Sequence, residues 1–205
     1  MVAPYNIPAT QHQFEFEIKR SQFICYAAHA DHREAAENFI QTIRELHPQA
    51  RHVCWAYIAG VPNTTIMSMS DDGEPSGTAG RPMLKILQYS GLGEIAVAVV
   101  RYFGGIKLGT GGLQRAYSDA VSGVLEELPL KLKVPREQIE FCYDYALESI
   151  VRHVLSRYDI DGEQLNYNEQ VSISLQIAST QLDAFQTELI NHCSGAIEIH
   201  VKDKV

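Results

Sequence analysis

Between Ile95 and Phe103 the chain reads IAVAVVRYF, apolar at every position except Arg101. A run of this length and composition, rich in β-branched residues and preceded by glycines, has the pattern of a strand buried within a sheet. Gly104, Gly105, Gly109, Gly111 and Gly112 follow, and then a long amphipathic helix. Thr110 is the natural N-cap of that helix. Leu113, Ala116, Tyr117, Ala120, Val121, Val124, Leu125 and Leu128 form its inward stripe. Strand, glycine loop and helix start together make an anion-binding geometry, because uncovered N–H groups and the helix dipole face one place.

Standard loop motifs do not account for this stretch. Gly104 and Gly109 have the spacing of a phosphate-binding P-loop, but Thr110 stands where the lysine belongs. Gly109-Thr110-Gly111 begins a dinucleotide fingerprint, and Gln114 occupies the place of its third glycine. In Gly73-Glu74-Pro75-Ser76-Gly77 the serine comes one position too late for a nucleophile elbow.

Upstream, residues 1–12 contain prolines and no period, and are expected to be a loosely held lead-in. Phe14, Phe16 and Ile18 alternate with charged residues as a half-buried strand does, and residues 23–30 continue as a second. Asp31 is the expected N-cap of a helix bearing Ala36, Phe39, Ile40, Ile43 and Leu46 on one face. Strands are expected at residues 54–59 and 66–70. Thr78 is the expected cap of a short helix through Met83 and Leu87. Pro129 and Pro135 bracket LKLKV, a short strand or linker at a domain boundary. After it the pattern restarts in the order βαββαβ, the ferredoxin-like split motif.

Net charge is −8, and it is unevenly spread. Residues 136–205 carry five Lys/Arg against twelve Asp/Glu, a net of −7. Residues 76–118 instead hold Arg81, Lys85, Arg101, Lys107 and Arg115 against Glu94 alone. A local basic field of this kind attracts anions even in an acidic protein. No apolar run approaches the ~20 residues that span a bilayer. Nor does the N-terminus have the form of a signal peptide. Cys25, Cys54, Cys142 and Cys193 lack a C-x-x-C pairing and read as reduced, mostly buried thiols of a cytosolic protein.

SDDGEPSGTAG at residues 70–80, VVRYFGGIKLGTGGLQRAY at 99–117 and RHVCWAY at 51–57 together resemble the signature of the IMPACT family, most closely its bacterial YigZ-like branch. The resemblance implies an α+β protein of two domains, residues 1–133 and 134–205. The first would resemble the second domain of a small-subunit ribosomal protein. The second would be a ferredoxin-like domain similar to one in elongation factor G. Eukaryotic relatives bind the ribosome-associated activator of a starvation-responsive kinase and regulate translation through it. They carry an additional N-terminal protein-binding domain, so that partner is not carried over to this chain.

The expectation is therefore a non-enzymatic, cytoplasmic, translation-associated factor that contacts ribosome, RNA or a translation-related protein. Arg81, Arg101, Lys107 and Arg115 would supply anion contacts beside the N–H groups of Gly109, Thr110, Gly111 and Gly112. Asp71, Asp72 and Glu74, the acidic loop of the resembled signature, would border that surface and repel wrong anions. Arg101 has a structural rival role, as the ion-pair partner of Glu94 or Asp119. An enzyme of small phosphorylated or peptide substrates using the same cleft is the alternative, as is a protein-docking module. No catalytic residue, metal ligand or cofactor is assigned. Cys54, the one candidate nucleophile, has apolar neighbours that would keep its thiol protonated. Membrane association is not expected, and the oligomeric state is open.

Overall fold

The computed structural model describes residues 2–202. They form two compact units, one from Tyr5 to Lys133 and one from Val134 onward together with the residues before Tyr5. The first contains β1 (Tyr5–Pro8), β2 (His12–Ile18), β3 (Ser21–His29), α1 (Arg33–Leu46), β4 (His52–Ile58), β5 (Met67–Ser70), α2 (Gly80–Ser90), β6 (Ile95–Tyr102), α3 (Thr110–Glu127) and β7 (Leu130–Lys133). Five of these strands make an antiparallel sheet in the order β2-β3-β6-β4-β5, so β6 lies at its centre.

The apolar run of β6 follows from that position. Ile95, Val97 and Val99 face the core beneath α2 and α3, with Met83, Leu87, Ala116, Tyr117 and Val121. Ala96, Ala98 and Val100 face the opposite side, where α1 lays down Ala36, Ile40 and Ile43. With helices on both faces, the alternation of an ordinary antiparallel strand is lost. Arg101 continues the α2/α3 series by parity, and Tyr102 continues the α1 series.

The helix ends differ from expectation. None of α1, α2 and α3 carries a side-chain cap from its N-cap residue, which are His32, Ala79 and Gly109. Asp31, Thr78 and Thr110 therefore do not cap. For α2 the role passes to Asp71, whose Oδ1 accepts from the N–H groups of Ala79 (2.9 Å) and Gly80 (2.8 Å). A carboxylate can reach those donors from a distant loop as readily as a neighbouring hydroxyl can from the helix itself.

Residues 5–8 also depart from the expected loose lead-in. They pair antiparallel with β7, Tyr5 opposite Lys133 and Pro8 opposite Leu130, and Tyr5 and Ile7 are buried. LKLK is thus a strand of the first unit. Its seam is closed by Glu94, a buried carboxylate that accepts hydrogen bonds from Tyr5 Oη (2.7 Å), His29 Nε2 (2.8 Å) and Lys133 Nζ.

The second unit contains β8 (Arg136–Tyr143), a 3-10 turn (Tyr145–Leu147), α4 (Glu148–Leu155), β9 (Ile160–Tyr167), β10 (Val171–Ala178), α5 (Leu182–His192) and β11 (Ile199–Val201). Its four-stranded antiparallel sheet has the order β11-β8-β10-β9. This is a βαββαβ arrangement, the two middle strands of the sheet being the first and third in sequence. Ile139, Phe141, Ile173 and Leu175 pack there against Val151, Val154, Phe185 and Leu189. Among the described residues no helix is long and apolar enough to cross a membrane.

Glu94 generates a prediction. Burial pushes its carboxyl up, but hydrogen bonds from Lys133, His29 and Tyr5 outweigh that and hold it below the usual carboxylate range. A depressed folded-state value stabilises the fold above the unfolded value of about 4.3, and the contribution fades as pH falls through the folded one. Glu94→Gln is expected to lower the melting temperature at pH 7 and to narrow the wild type's loss between pH 5 and 3. Parallel melting curves across that interval would reject the assignment.

Candidate functional site

Two loops meet where β6 ends, and side chains from both are tied to the strand. Arg101 Nη1 donates to Glu74 Oε1 at 2.6 Å, and Tyr117 Oη of α3 donates to the same oxygen at 2.8 Å. Both members of the ion pair are buried. The guanidinium carbon lies 5.6 Å from the ring centre of Phe23 and 5.5 Å from that of Phe103, so the charge also meets two π faces. Arg101 Nε has no hydrogen-bond partner among the described residues. Arg101 is thus committed to Glu74, not to Glu94 or Asp119.

The acidic loop is built inward. Asp71 uses Oδ1 for the start of α2 and Oδ2 for the N–H of Gly77 (2.8 Å). Burial raises its carboxyl, yet these three backbone donors prevail and hold it below the ordinary range. Asp72 takes both terminal nitrogens of Arg44 and the N–H of Val53 (2.7 Å). The loop therefore fastens α1, α2 and β6 to one another. A bordering fence that repels wrong anions is not its arrangement, since all three carboxylates already have partners.

Beside this knot lies a cleft of about 690 Å³, lined by Gln49, Arg51, His52, Glu74, Arg101 to Phe103 and Lys107 to Thr110. Its size falls in the range of small-ligand sites. Arg51 and Lys107 are exposed, and neither makes an ion pair among the described residues. Phe103 is 55% exposed. His52 Nδ1 lies 2.8 Å from the Asp72 carbonyl, which can only accept, so Nε2 alone is open to a ligand.

Of the residues expected to converge, Arg101, Lys107, Gly109 and Thr110 line this cleft. Arg81, Gly111 and Arg115 line a second hollow instead, between α2 and α3. Gly112 lines neither. The basic island is split in two by the first turn of α3. Gln49, Arg51 and His52 are additions that the sequence did not suggest as site residues, although Arg51 and His52 begin the signature segment RHVCWAY.

The glycines also sort themselves. A β-carbon on Gly104 would overlap the carbonyl of Arg20, and Gly109 has φ +78°. Gly111 and Gly112 lie in α3 without positive φ. A β-carbon on Gly112 would press on Leu108 at 3.1 Å, while on Gly111 it would meet nothing within 4 Å.

The thiol nearest to the acidic loop is in the core and does not line the cleft. Cys54 Sγ sits 2.9 Å from the Asp71 carbonyl and 3.3 Å from Tyr117 Oη. Burial pushes that thiol up to about 12, which keeps it a thiol at neutral pH. Among the described residues no three His, Cys, Asp or Glu side chains are grouped to hold a metal ion.

The Impact N-terminal domain matches residues 19–125, the segment that contains the whole cleft. The chain belongs to the IMPACT family. A domain of unknown function, DUF1949, matches residues 143–196. An IMPACT family member of Haemophilus influenzae is 41% identical over 201 residues, covering 98% of both chains. The IMPACT family member YigZ of Escherichia coli is 39% identical over 196 residues, covering 94% of this chain and 95% of its own length. YvyE of Bacillus subtilis, another IMPACT family member, is 36% identical over 87% of this chain and 83% of its own. A crystal structure titled only as a hypothetical protein superposes with a TM-score of 0.71 at 35% identity, over all of both chains.

Two predictions concern how this IMPACT-family site is held. Glu74→Gln leaves the buried Arg101 charge without its counter-ion and is expected to destabilise by about 3–5 kcal/mol. Replacing both partners, Glu74→Leu with Arg101→Met, should cost less than the sum of the single changes in urea denaturation. Strict additivity would mean the two are uncoupled. For the glycines, Gly111→Ala should leave stability unchanged or raise it by up to ~1 kcal/mol, as expected of alanine at helical φ. Gly104→Ala should lower it sharply. The reverse order in thermal melts would refute this sorting.

Proposed function

We propose that this IMPACT-family chain is a non-enzymatic, cytoplasmic factor of the translation apparatus that binds single-stranded RNA, free or ribosome-borne, through the cleft at the glycine loop. One observation carries the reading: two cations without ion-pair partners among the described residues, Arg51 and Lys107, line one cleft with the exposed ring of Phe103. Bases stack on exposed aromatic rings whatever their sequence, while nearby cations follow the phosphates. The glycine loop keeps side chains away from the backbone beside Lys107, so N–H groups of this loop are available to a phosphate.

In this reading Arg101 holds the floor and Arg51 and Lys107 provide the attraction. Phe103, steadied from below by the Arg101 guanidinium, is the stacking surface. Cys54, the candidate nucleophile, is buried in the core away from the cleft lining and held as a thiol, which favours binding over covalent chemistry. The link to translation rests on the family's expected kinship with domains of a ribosomal protein and of elongation factor G.

The test is fluorescence anisotropy with a labelled oligouridylate of about 12 nucleotides, within the range that single-strand binding surfaces span. Affinity should fall as salt rises. Lys107→Glu and Arg51→Glu should each weaken binding and reduce the salt slope by about 0.7 for every phosphate no longer neutralised. Phe103→Ala should cost about 1–3 kcal/mol with little change in slope. Wild-type protein that binds neither this RNA nor ribosomal particles would remove the reading and favour a small-molecule or protein ligand.

A further inference from the structure

The second hollow, about 620 Å³ between α2 and α3, has a lining unlike the rest of the surface. Arg81 and Lys85 reach it from α2 and Arg115 from α3, and no Asp or Glu is among its lining residues. All three cations are exposed, and none makes an ion pair among the described residues. Lys19, Arg20, Arg51, Lys107 and Lys131 are also without ion pairs among the described residues, so what marks this hollow is the grouping of three such cations with no acid in the lining. Asp71 is the nearby carboxylate that feels Arg81, but it is occupied by three backbone N–H groups.

Two further features point outward. Tyr89 is 80% exposed, with Lys85 Nζ 5.9 Å from its ring centre. Gly111 lines the hollow, although neither its φ nor its packing excludes a side chain. Alanine there would favour the helix by up to ~1 kcal/mol over glycine. The bare backbone is thus a local sacrifice of stability, and it sits where a ligand would approach Arg115.

Arg81 and Lys85 are one turn apart on α2, about 5–6 Å between β-carbons, so they act as a row and not as one point charge. The hollow adjoins the cleft in sequence at both loops: Thr110 lines one and Gly111 the other, Pro75 one and Gly77 the other. We propose that the α2–α3 hollow is a second, separate polyanion site that takes the phosphate backbone of the RNA strand whose bases engage the cleft. This rests on the RNA reading of the cleft and adds to it a minimum length. A strand long enough to cross the first turn of α3 gains a second set of phosphate interactions, and a shorter one does not.

The experiment compares two labelled oligouridylates, of about 3 and about 12 nucleotides, on the full chain. The Lys85→Glu/Arg115→Glu variant is expected to bind the longer one at least tenfold more weakly, with a salt slope shallower by about 1.4, and the shorter one unchanged. Lys107→Glu should weaken both. Circular dichroism and melting confirm folding, and Lys85→Ala/Arg115→Ala repeats the comparison should the charge reversal unfold the protein. Unchanged affinity of the double variant for the longer strand, while Lys107→Glu still weakens it, overturns the second site and leaves the cleft reading intact. Equal weakening of both lengths also overturns it, since a diffuse field would then suffice. An oligoglutamate that binds the wild type and is lost with the double variant, in the absence of any length effect for RNA, would make the hollow a protein-binding surface instead. No effect of Lys107→Glu on either strand is the separate failure of the cleft.

Discussion

Glu74 Oε1 is the atom on which the first unit depends. It takes a hydrogen bond from Arg101 at the end of the central strand and another from Tyr117 in α3, while its own loop supplies the cap of α2. Removing a carboxylate and a guanidinium from water is expensive, and their attraction offsets it only when geometry and additional hydrogen bonds are good. Here the carboxylate has two donors, and the cation has the faces of Phe23 and Phe103 in addition to its counter-ion. The pair is better understood as specifying an arrangement than as a large net source of stability. It fixes the acidic loop, the end of β6 and α3 at one point beside the cleft.

That commitment redistributes the charges available for recognition. Arg101, the most conspicuous cation in the sequence because it interrupts an apolar run, is neutralised and buried. Among the cations that remain open are Arg51 ahead of β4, Lys107 in the loop, and Arg81, Lys85 and Arg115 on helix surfaces. An overall charge of −8 does not oppose this, because short-range contacts respond to the local field within about a Debye length, ~8–10 Å in physiological salt.

Much of the fold is legible in the sequence because the decisive patterns are local. The apolar run of β6, the stripe of α3 and the βαββαβ order of the second unit can be read directly. What escapes is non-local. Four residues around two prolines carry no period, so β1 becomes recognisable only beside β7. Asp71 serves donors eight and nine positions away, and no spacing rule links Glu74 to Arg101. The same limit applies to the site. Arg81, Arg101, Lys107 and Arg115 share one basic segment of sequence, but a helix turns residues only a few positions apart toward different hollows. Lys85 and Tyr89 belong with Arg81 for that reason, one and two turns along α2. The family signature is legible throughout; the side-chain arrangement beneath it is not.

The pairing of β1 with β7 has a kinetic meaning. Within their unit Tyr5 is made first and its partner Lys133 last. During synthesis at ~5–20 residues per second, the five-stranded sheet has all its strands well before β7 leaves the ribosome. Until then β1 has an unpaired edge, and Glu94 lacks its lysine. The seam cannot close before Lys133 is made, so elongation sets the shortest lifetime of the unsealed state.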